Sequence, residues 1–154
     1  MNTLQDKTIV VTGASRGIGR AIALHLAANG ANVCVNYLVS KEQAEEVVAE
    51  IEKTGGKAIA VCADVTNSDK VAYMVKRTRK AFGSIFGVVN NAGARIDHTK
   101  FVDTGWEGFE IRLSSQIRAI YNTVMAALSD MIKAKSGSIV NIASAFKQIS
   151  KIVS

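Results

Sequence analysis

Proline is absent from this 154-residue sequence. Average usage is about 5%, so on the order of eight prolines would be expected. Chance would account for the gap, and so would a missing region in which prolines usually collect. Cysteine is scarce as well. Cys34 and Cys62 are the two present, each inside an apolar β-like run, so buried inert thiols are expected rather than a disulfide or a metal pair. No apolar run reaches the ~18–20 residues that a bilayer span needs. The start, "MNTLQDKTIVV", has no basic segment followed by a long apolar one. No signal peptide is therefore expected, and a cytoplasmic protein fits.

Acidic charge is also in short supply. Lys and Arg outnumber Asp and Glu by 19 to 13, a net charge of +6. A clustered excess would point to nucleic acid. Here only "KRTRK" (76–80) is dense, and its place on a helical segment makes it a solvated face. Neither nucleic acid nor a membrane is expected as a partner. With 48% apolar residues, the length suffices for one domain with a real core. No linker, repeat or low-complexity segment divides residues 1–154.

What is present alternates. β-Branched runs at "KTIVVT", "ANVCVNY", "KAIAVCADV", "IFGVVNNAG" and "SIVNIAS" read as five strands. Between them lie segments of helical period. "GRAIALHLAANG" stops at Gly30, and "KEQAEEVVAEIEKTGG" puts Ala44, Val47, Val48 and Ile51 on one face and stops at Gly55. "NSDKVAYMVKRTRKAFG" is capped by Asn67 or Ser68, with Val71, Met74, Val75 and Phe82 on a shared face. After a loop over about residues 93–105, a long helix carries Ile117, Tyr121, Val124, Leu128 and Met131 as its apolar stripe. This order, with strands apolar on both faces, predicts an α/β fold: a doubly wound parallel sheet of about five strands, covered by helices.

The turn after the first strand, "VVTGASRGIGRAIA", holds glycines at 13, 17 and 19. Exposed backbone N–H groups and a helix dipole favour an anion there, and glycine lets a pyrophosphate approach closely. A tight turn without a ligand is the alternative. A nicotinamide cofactor with a free 2′-hydroxyl usually meets an acid near the end of strand two. That place reads "VNYLVSKEQ", with Asn36, Ser40 and Lys41 and no acid before Glu42. Arg16 sits in the glycine turn, where a guanidinium can fork onto a 2′-phosphate. NADP is expected over NAD.

Four motifs, "TGASRGIG" (12–19), "ADVT" (63–66), "NNAG" (90–93) and "GSIVNIAS" (137–144), stand in an order that resembles the short-chain dehydrogenases/reductases. The stretch "VNYLVSKEQAEEVVAEIEKTGGKAIAVCADV" is most similar to the 3-oxoacyl-acyl-carrier-protein reductases. The resemblance implies a Rossmann fold and NADPH-dependent carbonyl reduction, in the setting of fatty acid biosynthesis. It implies that Gly13, Ser15, Arg16, Gly17, Ile18 and Gly19 hold the phosphates; Asn36, from its place at the end of strand two, joins the expected cofactor-binding residues. It places Asp64 and Val65 at the adenine, and Asn90, Ala92 and Gly93 along the ribose side. "NNAG" also reads as a turn that stabilises the sheet edge. Ser144 matches the serine that binds and polarises the substrate carbonyl.

The sequence departs from the family pattern in three places. The long-helix asparagine of the family falls on Gln116 counted back from Gly137, on Leu113 counted forward from Trp106, and on Arg112 by local wording. Residues 104–119 are thus expected to be locally rearranged. The general acid of the family is a tyrosine, roughly a dozen residues after the serine, with a lysine four residues later. A phenol near pKa 10 donates its proton only where a nearby cation lowers that value. That tyrosine would fall at about position 157, beyond Ser154. Tyr73 and Tyr121 lie on earlier helices, and Lys147 and Lys151 lack a tyrosine four residues before them. The sixth and seventh strands of the family are absent too, which should leave a sheet edge and an apolar helix face uncovered. The expectation is a reductase by lineage, truncated and inactive as these residues alone. The alternative is a non-catalytic nucleotide-binding or subunit-association module, as a homo- or hetero-oligomer. A basic nucleic-acid binder is the third possibility weighed.

Overall fold

A computed structural model describes residues 3–93 and 101–143, apart from the side chains of residues 101, 102, 104 and 112. Ser144 lies outside the described residues. In β1 (Thr8–Val11) successive side chains take opposite sides of the sheet: Ile9 and Val11 enter one apolar cluster, Val10 the other. β2 (Asn32–Tyr37) repeats the division with Val33 and Val35 against Cys34. Both clusters are deeply buried, which is why these strands read as continuous apolar runs rather than alternating ones.

β3 (Lys57–Cys62), β4 (Ile85–Asn90) and β5 (Ser138–Asn141) complete a five-stranded sheet in the order β3-β2-β1-β4-β5, with every pairing parallel. On one side lie α1 (Gly17–Ala28) and α2 (Lys41–Lys53), which bury Ala23, Ala27, Ala44, Val47 and Ile51. On the other lie α3 (Ser68–Phe82) and α4 (Phe101–Ala134), contributing Val71, Met74, Val75, Ala127 and Met131. The chain winds outward from β1 to β3, then crosses to β4 on the other flank of β1. Strand order reverses between β1 and β4, the place where a doubly wound sheet opens a crevice at its carboxyl ends.

The expected helix stops hold. Gly30 and Gly55 follow α1 and α2 with φ of 92° and 83°, the left-handed region that glycine enters without strain. Asn67 is the cap of α3, its Oδ1 accepting from Asp69 N and Lys70 N at 3.0 and 3.1 Å.

Four expectations change. Cys34 is buried, and burial pushes its thiol up to about 12, but Cys62 is exposed. It ends β3, an edge strand whose outer positions face solvent. The basic run 76–80 is not one solvated face: Thr78 is buried and Arg79 pairs with Asp130 of α4. The loop before α4 ends sooner than about residue 105, because α4 begins at Phe101 and breaks at Gly105, where φ is 63° and ψ 169°. That kink lies in the stretch expected to be rearranged.

The expected apolar stripe of α4 holds at its end, where Met131 is buried and Val124 and Leu128 are half-buried, and fails at its start. Ala119, Thr123, Ala127 and Met131 pack inward, while Ile117 and Tyr121 are 59% and 62% exposed. Small side chains let α4 approach β4 closely, and the bulky ones are left outside with Met125 and Ile132. Both sets repeat every four residues, so period alone does not separate them. β5 is exposed along its length. Among the described residues no helix is long and apolar enough to cross a membrane.

Candidate functional site

The turn from β1 into α1 is fastened from three directions. Thr12 Oγ1 accepts from Asn91 N at 3.0 Å and from Ala92 N at 2.9 Å, and Asn91 Nδ2 donates to the carbonyls of Thr12 and Gly13 at 3.0 and 3.1 Å. From the third side, Asn36 Oδ1 accepts from Gly13 N at 3.2 Å and the Asn36 carbonyl accepts from Ala14 N at 2.8 Å. Glycine is required at two positions. Gly13 has φ of 61°, and a Cβ there would stand 3.0 Å from Ala92 Cα. A Cβ on Gly19 would stand 2.4 Å from the Gly13 carbonyl oxygen.

The head of α1 is left bare. Arg16 precedes its first turn without a side-chain cap, and no acid lies in that turn. The contrast with α3 is direct, since α3 has both Asn67 and Asp69 in those places. The first N–H groups of a helix need partners, and a helix start without a capping side chain or an acid suits a phosphate oxygen. Such residues fit a dinucleotide.

This turn borders a groove of about 540 Å³ at the carboxyl ends of the strands. Gly13, Ser15 and Arg16 line it from the turn, residues 36–40 from the end of β2, and residues 63–66 from the end of β3. Residues 91–93 close the β4 side, and α4 adds Ile111 and Ser115. Asp64 supplies the carboxylate of the groove's lining, and its Oδ1 accepts from Thr66 N and Thr66 Oγ1 at 2.9 and 2.7 Å. A second hollow of about 510 Å³ lies at the amino ends of the strands, beside Asp6, Gly56 and Lys57. It is remote from the strand-order reversal and from the bare helix head.

The structure brings most of the sequence-predicted residues together. Gly17 and Ile18 sit exposed at the head of α1, and Gly19 is buried beneath it. Asp64, Val65, Ala92 and Gly93 line the groove. Asn36 borders the groove as well and Asn90 does not, and both side chains are tied into the framework. Asn36 is 2% exposed, and its Nδ2 donates to the Ala63 and Val61 carbonyls at 3.0 and 3.3 Å. Its side-chain amide is bound into the framework, so it shapes the turn. The Asn90 side chain is buried between α4 and β5: its Oδ1 accepts from Thr123 Oγ1 at 2.6 Å, and its Nδ2 donates to Asn141 Oδ1 at 2.9 Å. Asn91, which sequence reasoning passed over, is the asparagine of that motif lining the groove.

Of the three candidates for the long-helix asparagine, Leu113 is exposed, Gln116 is half-buried, and the side chain of Arg112 lies outside the described residues. Thr12 was also missed. Its signal was a hydroxyl directly after a buried strand, where only a hydrogen-bonded polar group is tolerated.

Residues 7–152 match the family described as short chain dehydrogenase. The chain belongs to the short-chain dehydrogenase family. It is 41% identical over 140 residues to a 3-oxoacyl-[acyl-carrier-protein] reductase FabG of Staphylococcus aureus, covering 90% of this chain and 56% of that protein. A 3-oxoacyl-[acyl-carrier-protein] reductase of Synechocystis is 43% identical over 144 residues, 94% of this chain and 58% of the relative. Among solved structures, a short chain dehydrogenase from Burkholderia cenocepacia in complex with NADP superposes with a TM-score of 0.79 at 39% identity, covering 92% of this chain and 57% of the other. One from Mycobacterium avium gives 0.80 at 32% identity, covering 92% and 54%. This short-chain dehydrogenase therefore spans little more than half the length of the relatives it matches.

Proposed function

We propose that residues 1–154 form the single NADP-binding Rossmann domain, the N-terminal part, of a cytoplasmic carbonyl reductase of 3-oxoacyl-acyl-carrier-protein type. The observation that carries the reading is the bare head of α1, opening beside a groove at the switch of strand order. Gly13, Ser15, Arg16, Gly17, Ile18 and Gly19 hold the phosphates through backbone N–H groups and the helix dipole. Asp64 and Val65 border the adenine, and Ala92 and Gly93 the ribose. Asn36, at the edge of the groove, and Asn90, behind it, hold these walls in register.

The 2′-position is read by what lies at the end of β2. Tyr37 through Ser40 line the groove without an acid, and Arg16 faces them from the turn. An acid there would repel a 2′-phosphate; an arginine binds it. NADPH supplies hydride when bound. Ser144 follows closely on β5, whose end is tied down where Ile142 N donates to the Asn90 carbonyl at 2.9 Å. Its hydroxyl is assigned to the oxygen of a 3-oxoacyl thioester, and the proton goes to that oxygen from a tyrosine not found after Ser144 in these residues. The bulky face of α4 favours an association role beside this, with a second copy or a longer relative.

Dissociation constants for NADPH and NADH provide the test. NADPH is expected to bind at least about tenfold more tightly, since a charge-assisted hydrogen bond contributes roughly 1.5–3 kcal/mol. Arg16→Ala should remove most of that margin. Equal or tighter binding of NADH would sink the assignment.

A further inference from the structure

The loop after β3 is held from both sides by side-chain amides of distant elements. Asn36 of β2 fixes Ala63, as described above. From the opposite layer, Asn122 of α4 reaches across with Nδ2 donating to the Val65 carbonyl at 3.1 Å. Between these two anchors the loop is shaped locally, by Thr66 turning back onto Asp64 and by Asn67 N donating to the Asp64 carbonyl at 3.1 Å. The Asn122 bond does something the local turn cannot: it sets the distance of the whole loop from α4.

The next residue of the helix, Thr123, holds Asn90 at the end of β4. One turn of α4 therefore registers both outer walls of the groove. Val65 is itself 9% exposed and packs in the α3–α4 cluster, so moving its carbonyl means moving a buried side chain with it.

We propose that Asn122 is a positioning residue for the adenosine end of the cofactor, acting through Val65 without touching the ligand. This rests on the NADP reading above. The strand order places Asp64 and Val65 on the β3 side of the groove, separated by β2 and β1 from the β4–β5 side, after which Ser144 follows in the sequence. The effect should thus fall on adenosine recognition. The contact also specifies its chemistry. A backbone carbonyl needs a donor, and the amide of asparagine has one. An aspartate of the same shape presents two acceptors and pushes the loop away.

The test uses NADPH and adenosine 2′,5′-bisphosphate as probes, with thermal melting alongside. Asn122→Ala should weaken bisphosphate binding about tenfold, the scale of one net hydrogen bond, and Asn122→Asp should weaken it further. Asn122→Gln, which keeps the donor, should stay within about threefold of the wild type. A contact that merely supports the helix would lower the melting temperature of all three with no dependence on the donor. Wild-type-like bisphosphate binding by Asn122→Ala, or a loss in Asn122→Gln as large as in Asn122→Asp, overturns the proposal. Should Asn122→Asp fail to fold, the alanine and glutamine variants carry the same comparison. If the wild type binds neither probe, the NADP reading itself fails and takes this proposal with it.

Discussion

Gly19→Ala is expected to weaken NADPH binding by more than about 100-fold and to destabilise the fold by about 1–3 kcal/mol, the usual range for overpacking. The new methyl carbon would stand 2.4 Å from the Gly13 carbonyl oxygen, 2.5 Å from Asn91 Nδ2 and 3.0 Å from Ala14 Cα. Two of these are backbone atoms of the phosphate turn, so no flexible side chain can yield to relieve the clash. Asn91 would have to swing away, giving up its bonds to the Thr12 and Gly13 carbonyls. The turn would then lose the strap that aligns its N–H groups. Gly17→Ala is the control. A Cβ there meets nothing within 4 Å, though the φ of 55° adds strain of roughly 1–2 kcal/mol. NADPH fluorescence titration with thermal melting separates the two, and a Gly19→Ala protein that binds within about threefold of wild type contradicts the steric argument.

Asp130→Ala is expected to cost about 2–3 kcal/mol at neutral pH. Asp130 Oδ2 accepts from Arg79 Nε at 2.8 Å and from Ile85 N at 2.9 Å, so one carboxylate joins α4 to α3 and to the start of β4. Arg79 also donates to the Ala126 carbonyl at 3.0 Å. Hydrogen bonds to a charged group contribute roughly 1.5–3 kcal/mol each. The guanidinium is more than a third exposed, which keeps the total near the lower end of that sum.

Burial pushes the Asp130 carboxyl up, but the Arg79 and Ile85 hydrogen bonds and the charges of Arg79 and Lys133 outweigh it. The carboxyl is therefore held below its ordinary range. A carboxyl with a depressed folded pKa stabilises the fold above its unfolded pKa of roughly 3.9. That contribution disappears as pH falls through the folded value. Urea unfolding of wild type and Asp130→Asn should thus differ at pH 7 and converge in the acid range below about pH 4. A gap that stays constant with pH would remove the charge from the explanation.

Much of this was legible in the sequence because it depends on local rules. Glycines at 30 and 55 end helices because backbone geometry demands it there, and the β-branched runs are strands wherever both faces are covered. The glycine turn could be read because its chemistry is carried by three residues close in sequence. What could not be read depends on distance in the chain. Which face of α4 packs on the sheet is decided by how near β4 lies, and the repeat of four at 117 and 121 is as regular as that at 119 and 123. Asn36 resembled a ligand because it occupies the ligand's place in the sequence; only the fold brings the Ala63 carbonyl and Gly13 N within reach of its amide. Asn90 and Asn91 are adjacent and chemically identical, yet the end of the strand turns one into the sheet and the other toward the groove.

Amide chemical-shift mapping during NADPH titration tests the central claim most directly, and a chain of 16.4 kDa suits it. Saturable shifts are predicted at Gly13, Ser15, Arg16 and Gly17, and at Asp64, Val65 and Ala92 across the groove. Asp6, Gly56 and Lys57, at the hollow on the opposite edge of the sheet, should stay still. Shifts that gather at that second hollow, or that fail to saturate at the head of α1, would contradict the account.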